Sequence, residues 1–193
     1  YHNGDITPER DVGLLYEVEV AEGESPTVIT TKNAREQYEH SEAMDHVDSI
    51  TNYGKVLSSN EFNHKSVGVV QGCPHPGDQV IKRWGAYLGE GIDAEGEGIN
   101  RAYCESGDPV YKHFVHNQVL QAILRFGRDN SVDETTVYVN TAALPDWVDT
   151  EQGLDLSPFS TKLRREVTNV LRDSEPVGMR KQDLVKATNA SER

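Results

Sequence analysis

Short runs of alternating or continuous apolar character recur along this chain, separated by longer stretches with helical spacing. Residues 14–20 read Leu-Leu-Tyr-Glu-Val-Glu-Val, an alternation that predicts a strand. Gly, Glu, Ser and Pro at 21–26 mark a loop. A short buried strand is expected at 27–31, a polar helix at 33–43 and a strand at 47–51, closed by Gly54. The run 66–72 (Ser-Val-Gly-Val-Val-Gln-Gly) is almost free of polar interruptions, as expected of a central parallel strand. Pro76-Gly77-Asp78 opens a helix to Tyr87, with Asp78 near its positive end. Residues 89–108 are rich in Gly and acids and read as an insertion. Asp108 and Pro109 have the character of an N-cap and a first helical residue, for a long helix that runs to Arg128. The β-branched run at 135–140 is a strand, and Ser157-Pro158 opens a further helix to about residue 172. Strands alternating with helices predict an α/β fold, a parallel sheet with helices on both faces.

Candidate chemistry gathers at 121–128, Gln-Ala-Ile-Leu-Arg-Phe-Gly-Arg. On a continuous helix, Gln121, Arg125 and Arg128 at i, i+4 and i+7 would share one face. Arginine carries a rigid fork of donors that matches phosphate oxygens. Two forks one turn apart could clamp a phosphate whose charge grows during transfer. The structural alternative is a solvated helix end, where two cations suit the helix dipole.

The pattern Gln-x-x-x-Arg-x-Gly-Arg at 121–128 resembles the sixth conserved motif of superfamily-two helicases, commonly Gln-x-x-Gly-Arg-x-Gly-Arg; Leu124 stands in place of the first glycine. Residues 49–60 (Ser-Ile-Thr-Asn-Tyr-Gly-Lys-Val-Leu-Ser-Ser-Asn) lie where the fifth motif would fall. Residues 26–35 look like the strand, turn and helix of the fourth. The blocks 67–84, 118–128 and 136–147 look most like helicase-like proteins of halophilic archaea and their mobile elements. The resemblance spans about residues 12–148.

That resemblance implies the C-terminal RecA-like lobe of a two-lobe motor, at 12–150. It implies Arg125 and Arg128 as catalytic arginine fingers, and Gln121, Gly54 and Asn60 as nucleotide contacts. It implies Thr51, Asn52 and Ser59 as contacts to the nucleic-acid backbone, the nucleic acid being DNA. ATP and Mg2+ would be held mainly by an N-terminal lobe of the full-length protein. That lobe would carry the phosphate loop, which has no counterpart here. ATP hydrolysis would need both lobes. Two other readings stay open: a DNA-binding regulator with a C-terminal helix-turn-helix, and a degenerate RecA-like domain with a structural role.

Composition adjusts this picture. The 193 residues suit one domain with a small appendage. There are 32 acidic against 19 basic residues, a formal net charge of −13. Such a surface repels nucleic acid at low salt but suits a halophile, in which the Debye length falls to about 3 Å or less. Two cysteines, Cys73 and Cys104, make no disulfide framework and fit a reducing cytoplasm. Cys73, His75, Cys104, His113 and His116 match no zinc spacing, so no metal site is expected. No apolar run is long enough for a membrane span, and no signal peptide is visible. The first residue is Tyr1, which reads as a fragment with motifs upstream. The tail at 157–193 is locally basic, and Asp183 to Asn189 with Ser191 looks like the first helix and turn of a winged helix-turn-helix.

Overall fold

A computed structural model describes residues 8–56, 59–97, 101–151, 153 and 170. The tail readings at 157–193 lie outside these, apart from the single residue 170.

The chain enters through helix α1 (Pro8–Glu22), not a strand. The alternation at 14–20 is misleading because Val12, Leu14, Leu15, Tyr16 and Val18 are all buried. At spacings of three and four these residues form a wide apolar stripe, and so short a run cannot separate period two from 3.6. Pro8 occupies the first helical position, where its missing N–H costs nothing. Gly23 ends the helix in the left-handed region (φ 74°), its N–H donating to Glu19 O at 2.9 Å.

Strand β1 (Thr27–Thr30) follows, fully buried, then helix α2 (Lys32–Tyr38). Thr31 caps α2 by accepting from Ala34 N at 3.4 Å. The helix expected to reach residue 43 stops early. Ser41 donates its hydroxyl hydrogen to Tyr38 O and accepts from Ala43 N, turning the chain into a 3₁₀ segment, Glu42–His46. Then come β2 (Ser49–Asn52), the single turn α3 (Tyr53–Val56), β3 (Val67–Gln71) and α4 (Asp78–Tyr87). The Gly- and acid-rich insertion contains a small antiparallel pair, β4 (Ala94–Glu95) with β5 (Ala102–Tyr103). Helix α5 (Gly107–Ile123) leads back to β6 (Thr136–Asn140).

The sheet is parallel throughout, in the order β2-β1-β3-β6. Both faces are covered, as the alternation predicts. On one side α1, α2 and the 3₁₀ segment pack Leu15, Val18, Tyr38 and Ala43 against Val28 and Val69. On the other, α3 and α5 pack Tyr53, Val56, Val115 and Val119 against Ile29 and Val70. A third cluster (Ile81, Ile92, Tyr103, Val110) seats the small hairpin under α4 and α5. Chain direction then gives the sheet an amino end and a carboxyl end. Strands of four or five residues separate the ends by about 15 Å.

Candidate functional site

Helix α5 ends at Ile123, two residues before the first candidate arginine. Arg125 and Arg128 therefore do not continue its face, and the i, i+4, i+7 stripe with Gln121 is not formed. Leu124 caps the helix, and Arg125 N and Phe126 N bond back to Ala122 O and Ile123 O in a tightening turn. Gly127 then takes φ 59°, and a Cβ there would collide with the Thr135 side chain. Only glycine fits this position without strain. Leu124 has φ −71°, so the residue that departs from the helicase pattern sits where no glycine is required.

The segment after α5 is stitched to the loop before β3. Arg125 Nη1 donates to Ser59 O at 3.2 Å, Gly127 N to Lys65 O at 3.1 Å and Asp129 N to Asn63 O at 3.0 Å. Phe126 lies between these bonds, 6.2 Å from Phe62 ring to ring, and covers Gly68, where a Cβ would fall 2.6 Å from its ring. The result is a fixed backbone with unequal arginines. Arg125 is half-buried and engaged by Ser59. Arg128 is exposed, bonded through Nε to Leu124 O, with both terminal nitrogens turned to no protein acceptor among the described residues. Asp129 accepts from Ser131 N at 2.9 Å, and that bond holds its carboxyl below the usual range.

The other candidates divide between the two ends. Gln121 is exposed in the last turn of α5, at the arginine end. Asn60 is exposed at that end as well, beside Ser59, whose hydroxyl accepts from Glu61 N at 3.1 Å. Thr51, Asn52 and Gly54 stand at the carboxyl end of the sheet, a full strand length away. Thr51 is only 8% exposed, so its hydroxyl is poorly placed to meet a nucleic-acid strand. Asn52 Oδ1 accepts from Lys55 N at 3.2 Å and starts α3. Gly54 lies within α3 with no positive φ; it makes no special turn.

The carboxyl end also holds groups that the sequence reading passed over. The registers pair Thr30 with Asn52 and Gln71 with Asn140; the β1–β3 register, extended by one residue, sets Thr30 beside Gln71. Four polar residues thus form one rung across the sheet. Thr30 and Gln71 are fully buried, and neither the Thr30 hydroxyl nor the Gln71 amide has a partner among the described residues. Parallel α/β sheets bind ligands beyond the carboxyl ends of strands, where the strand order reverses. Here that point lies between β1 and β3.

Beyond β3 the chain builds a second network. His75 Nδ1 accepts from Gly77 N at 2.9 Å, which leaves Nε2 to donate to the Tyr103 hydroxyl at 3.0 Å. Tyr103 donates in turn to Asp78 Oδ1 at 2.6 Å, and Arg101 grips both oxygens of Asp78. Burial pushes the Tyr103 phenol up, so it stays a donor. Asp78, expected to serve the helix dipole, also organises this loop. Asp108, expected as a cap, sits in the first turn of α5 and accepts from Tyr103 N at 3.2 Å.

Next to this network is a cavity of about 200 Å3 lined by Cys73, Tyr111, Lys112, Val115, His116, Ala142 and Ala143. Among the described residues no group of three or more His, Cys, Asp or Glu could hold a metal ion, and no helix is long and apolar enough to cross a membrane. No family model, no curated protein and no solved structure matches the chain.

Proposed function

We propose that this chain is the second, RecA-like motor lobe of an ATP-dependent nucleic-acid helicase or translocase, acting on DNA in the cytoplasm of a halophile. The observation that carries this reading is the contrast between Arg125 and Arg128. A half-buried arginine fixes the loop, and an exposed arginine follows a glycine that no other residue can replace without strain. A rigid backbone presenting the two terminal nitrogens of a planar guanidinium, without an acceptor among the described residues, suits transition-state stabilisation of a phosphoryl group.

In this mechanism Arg128 reaches the β- and γ-phosphates of a nucleotide held by a partner lobe carrying the phosphate loop. Its terminal nitrogens meet charge as that charge develops. Arg125 acts through Ser59, positioning the loop rather than touching phosphate. Gln121 and Asn60, both exposed at the same end, line the approach to the nucleotide. Mg2+, held by the partner lobe, would supply charge neutralisation on the phosphates. The carboxyl end is left to the DNA strand, where Asn52, Lys55 and the backbone around Gly54 offer sugar-phosphate contacts. Ser59 moves to the nucleotide end in this scheme, and Gly54 to the nucleic-acid end. Closure of the two lobes on ATP, and release after hydrolysis, would change the grip on the strand.

ATP hydrolysis by the complete gene product, with and without single-stranded DNA at molar KCl, tests the reading. DNA-stimulated turnover is expected; a product that neither hydrolyses ATP nor binds DNA contradicts it.

A further inference from the structure

The cavity lies beyond the carboxyl ends of β3 and β6, on the nucleic-acid side of the proposed motor, and is lined by none of the residues named for that contact. Its apolar lining comes from the buried Val115 and Ala143 and the exposed Ala142. Its polar groups are the Cys73 thiol, the Tyr111 hydroxyl, the Lys112 ammonium and the His116 imidazole. Lys112 and His116 are one turn apart on α5 and so share a side of the helix. Lys112 makes no ion pair with any described residue, in a chain whose formal net charge is −13. Asp108, one turn earlier, has its Oδ1 directed to Tyr103 N.

The volume limits the occupant. At about 200 Å3 the cavity is smaller than the roughly 300–1,000 Å3 of sites for whole drug-sized ligands. It suits a group of a few heavy atoms. Two cationic or cation-forming side chains and a hydroxyl select an anion with several acceptor oxygens.

We propose that this cavity seats a single phosphate group, with Lys112 supplying charge, His116 and the Tyr111 hydroxyl donating hydrogen bonds, and Cys73 lying against the ligand. The phosphate belongs either to a nucleic-acid backbone or to a small phosphate species; the chemistry of the seat is the same. Burial, and then the bonded Cys73, push Tyr111 well above the ordinary phenol range, which keeps it a donor. Cys73 Sγ lies 3.5 Å from the Tyr111 oxygen, so an oxyanion bonded to Tyr111 would shield the thiol.

Thiol protection reads this out without any ATPase assay, so it succeeds or fails independently of the motor reading. In Cys104→Ser, Cys73 is the only remaining thiol. Its rate of alkylation by N-ethylmaleimide would be followed by mass spectrometry at constant ionic strength. Inorganic phosphate or an unphosphorylated single strand of DNA should slow it about tenfold at about ten times its Kd. Protection by inorganic phosphate points to a small phosphate ligand, and protection by the strand alone to its backbone; either supports the seat. In Cys104→Ser with Lys112→Gln and His116→Gln, folded by circular dichroism, the protection should vanish. No protection by either probe, or equal protection in the triple variant, overturns the proposal.

Discussion

Arg125 donates through Nη1 to the carbonyl oxygen of Ser59 at 3.2 Å, a contact across 66 residues of chain. It ties the segment after α5 to the loop before β3, and Gly127 and Asp129 repeat the tie through their backbone N–H groups. The two arginines of one short motif are thereby given different tasks. Arg125 holds the backbone in place; Arg128 is what that backbone presents.

Arg125→Ala should therefore act first on stability. Losing a charge-assisted hydrogen bond and the packing of a half-buried stem costs about 1–3 kcal/mol. Chemical denaturation would show it. A variant as stable as the parent would mean that the Ser59 contact holds nothing together.

Gly127→Ala forces an L side chain into φ 59° and against Thr135. The backbone conformation alone costs about 1–2 kcal/mol, and the collision adds to it. Leu124→Gly, at φ −71°, gains nothing from left-handed freedom and loses helix-end preference. Thermal melting of the two variants should rank Gly127→Ala well below Leu124→Gly. The reverse order would remove the conformational reason for the glycine.

Gln71 is fully buried with an amide that no described residue satisfies. An unsatisfied buried group costs about 1–3 kcal/mol, so Gln71→Met, which keeps the length and removes the need, should stabilise the fold. A higher melting temperature with weaker DNA binding would mark Gln71 as retained for function at the carboxyl end. A lower melting temperature would show that the amide is satisfied in solution.

Lys65 donates to Asp48 Oδ2 at 2.8 Å and, as the largest cause, lowers the Asp48 pKa from its ordinary value of 3.8. A carboxyl lowered in the folded state contributes stability above its unfolded pKa and loses it as pH falls through the folded one. Asp48→Asn should thus melt below the parent at pH 7, and the gap should close below pH 3.8. The pair is partly exposed, so the gap should also shrink in molar salt. A gap that is constant with pH would mean that the ionised Asp48 carboxylate, and so its pairing with Lys65, contributes nothing to it.

The parallel sheet was legible because β1 and β3 are buried on both faces and carry the continuous apolar stretches 28–29 and 67–70. Helix α1 was not, because Glu17 and Glu19 flank Val18 and imitate a strand, whereas the burial that makes it a helix comes from contacts with Val28, Val69 and Tyr38 far along the chain. The arginine motif was legible as residues but not as geometry. Where α5 stops depends on Phe126 finding Gly68 and on Gly127 finding Lys65, neither of which is local. The polar rung at Asn52, Thr30, Gln71 and Asn140 needs strand register, which spacing along one chain does not contain. His75 and Cys73 match no metal spacing in the sequence, and their bonds to Tyr103 and Tyr111 depend on contacts 28 and 38 residues away that spacing does not contain.

The central claim is that Arg128 is an arginine finger, and the most direct measurement is single-turnover ATP hydrolysis by the complete gene product carrying Arg128→Ala or Arg128→Lys. Fingers are worth about 10³–10⁵ in rate in other phosphoryl-transfer enzymes. Both variants should keep the parent's melting temperature, since Arg128 is exposed, and both should lose hydrolysis on that scale. Lysine should fail as alanine does, because it lacks the planar fork. Hydrolysis at the parent's rate in Arg128→Ala would contradict the claim and leave the arginine as decoration on a helix end.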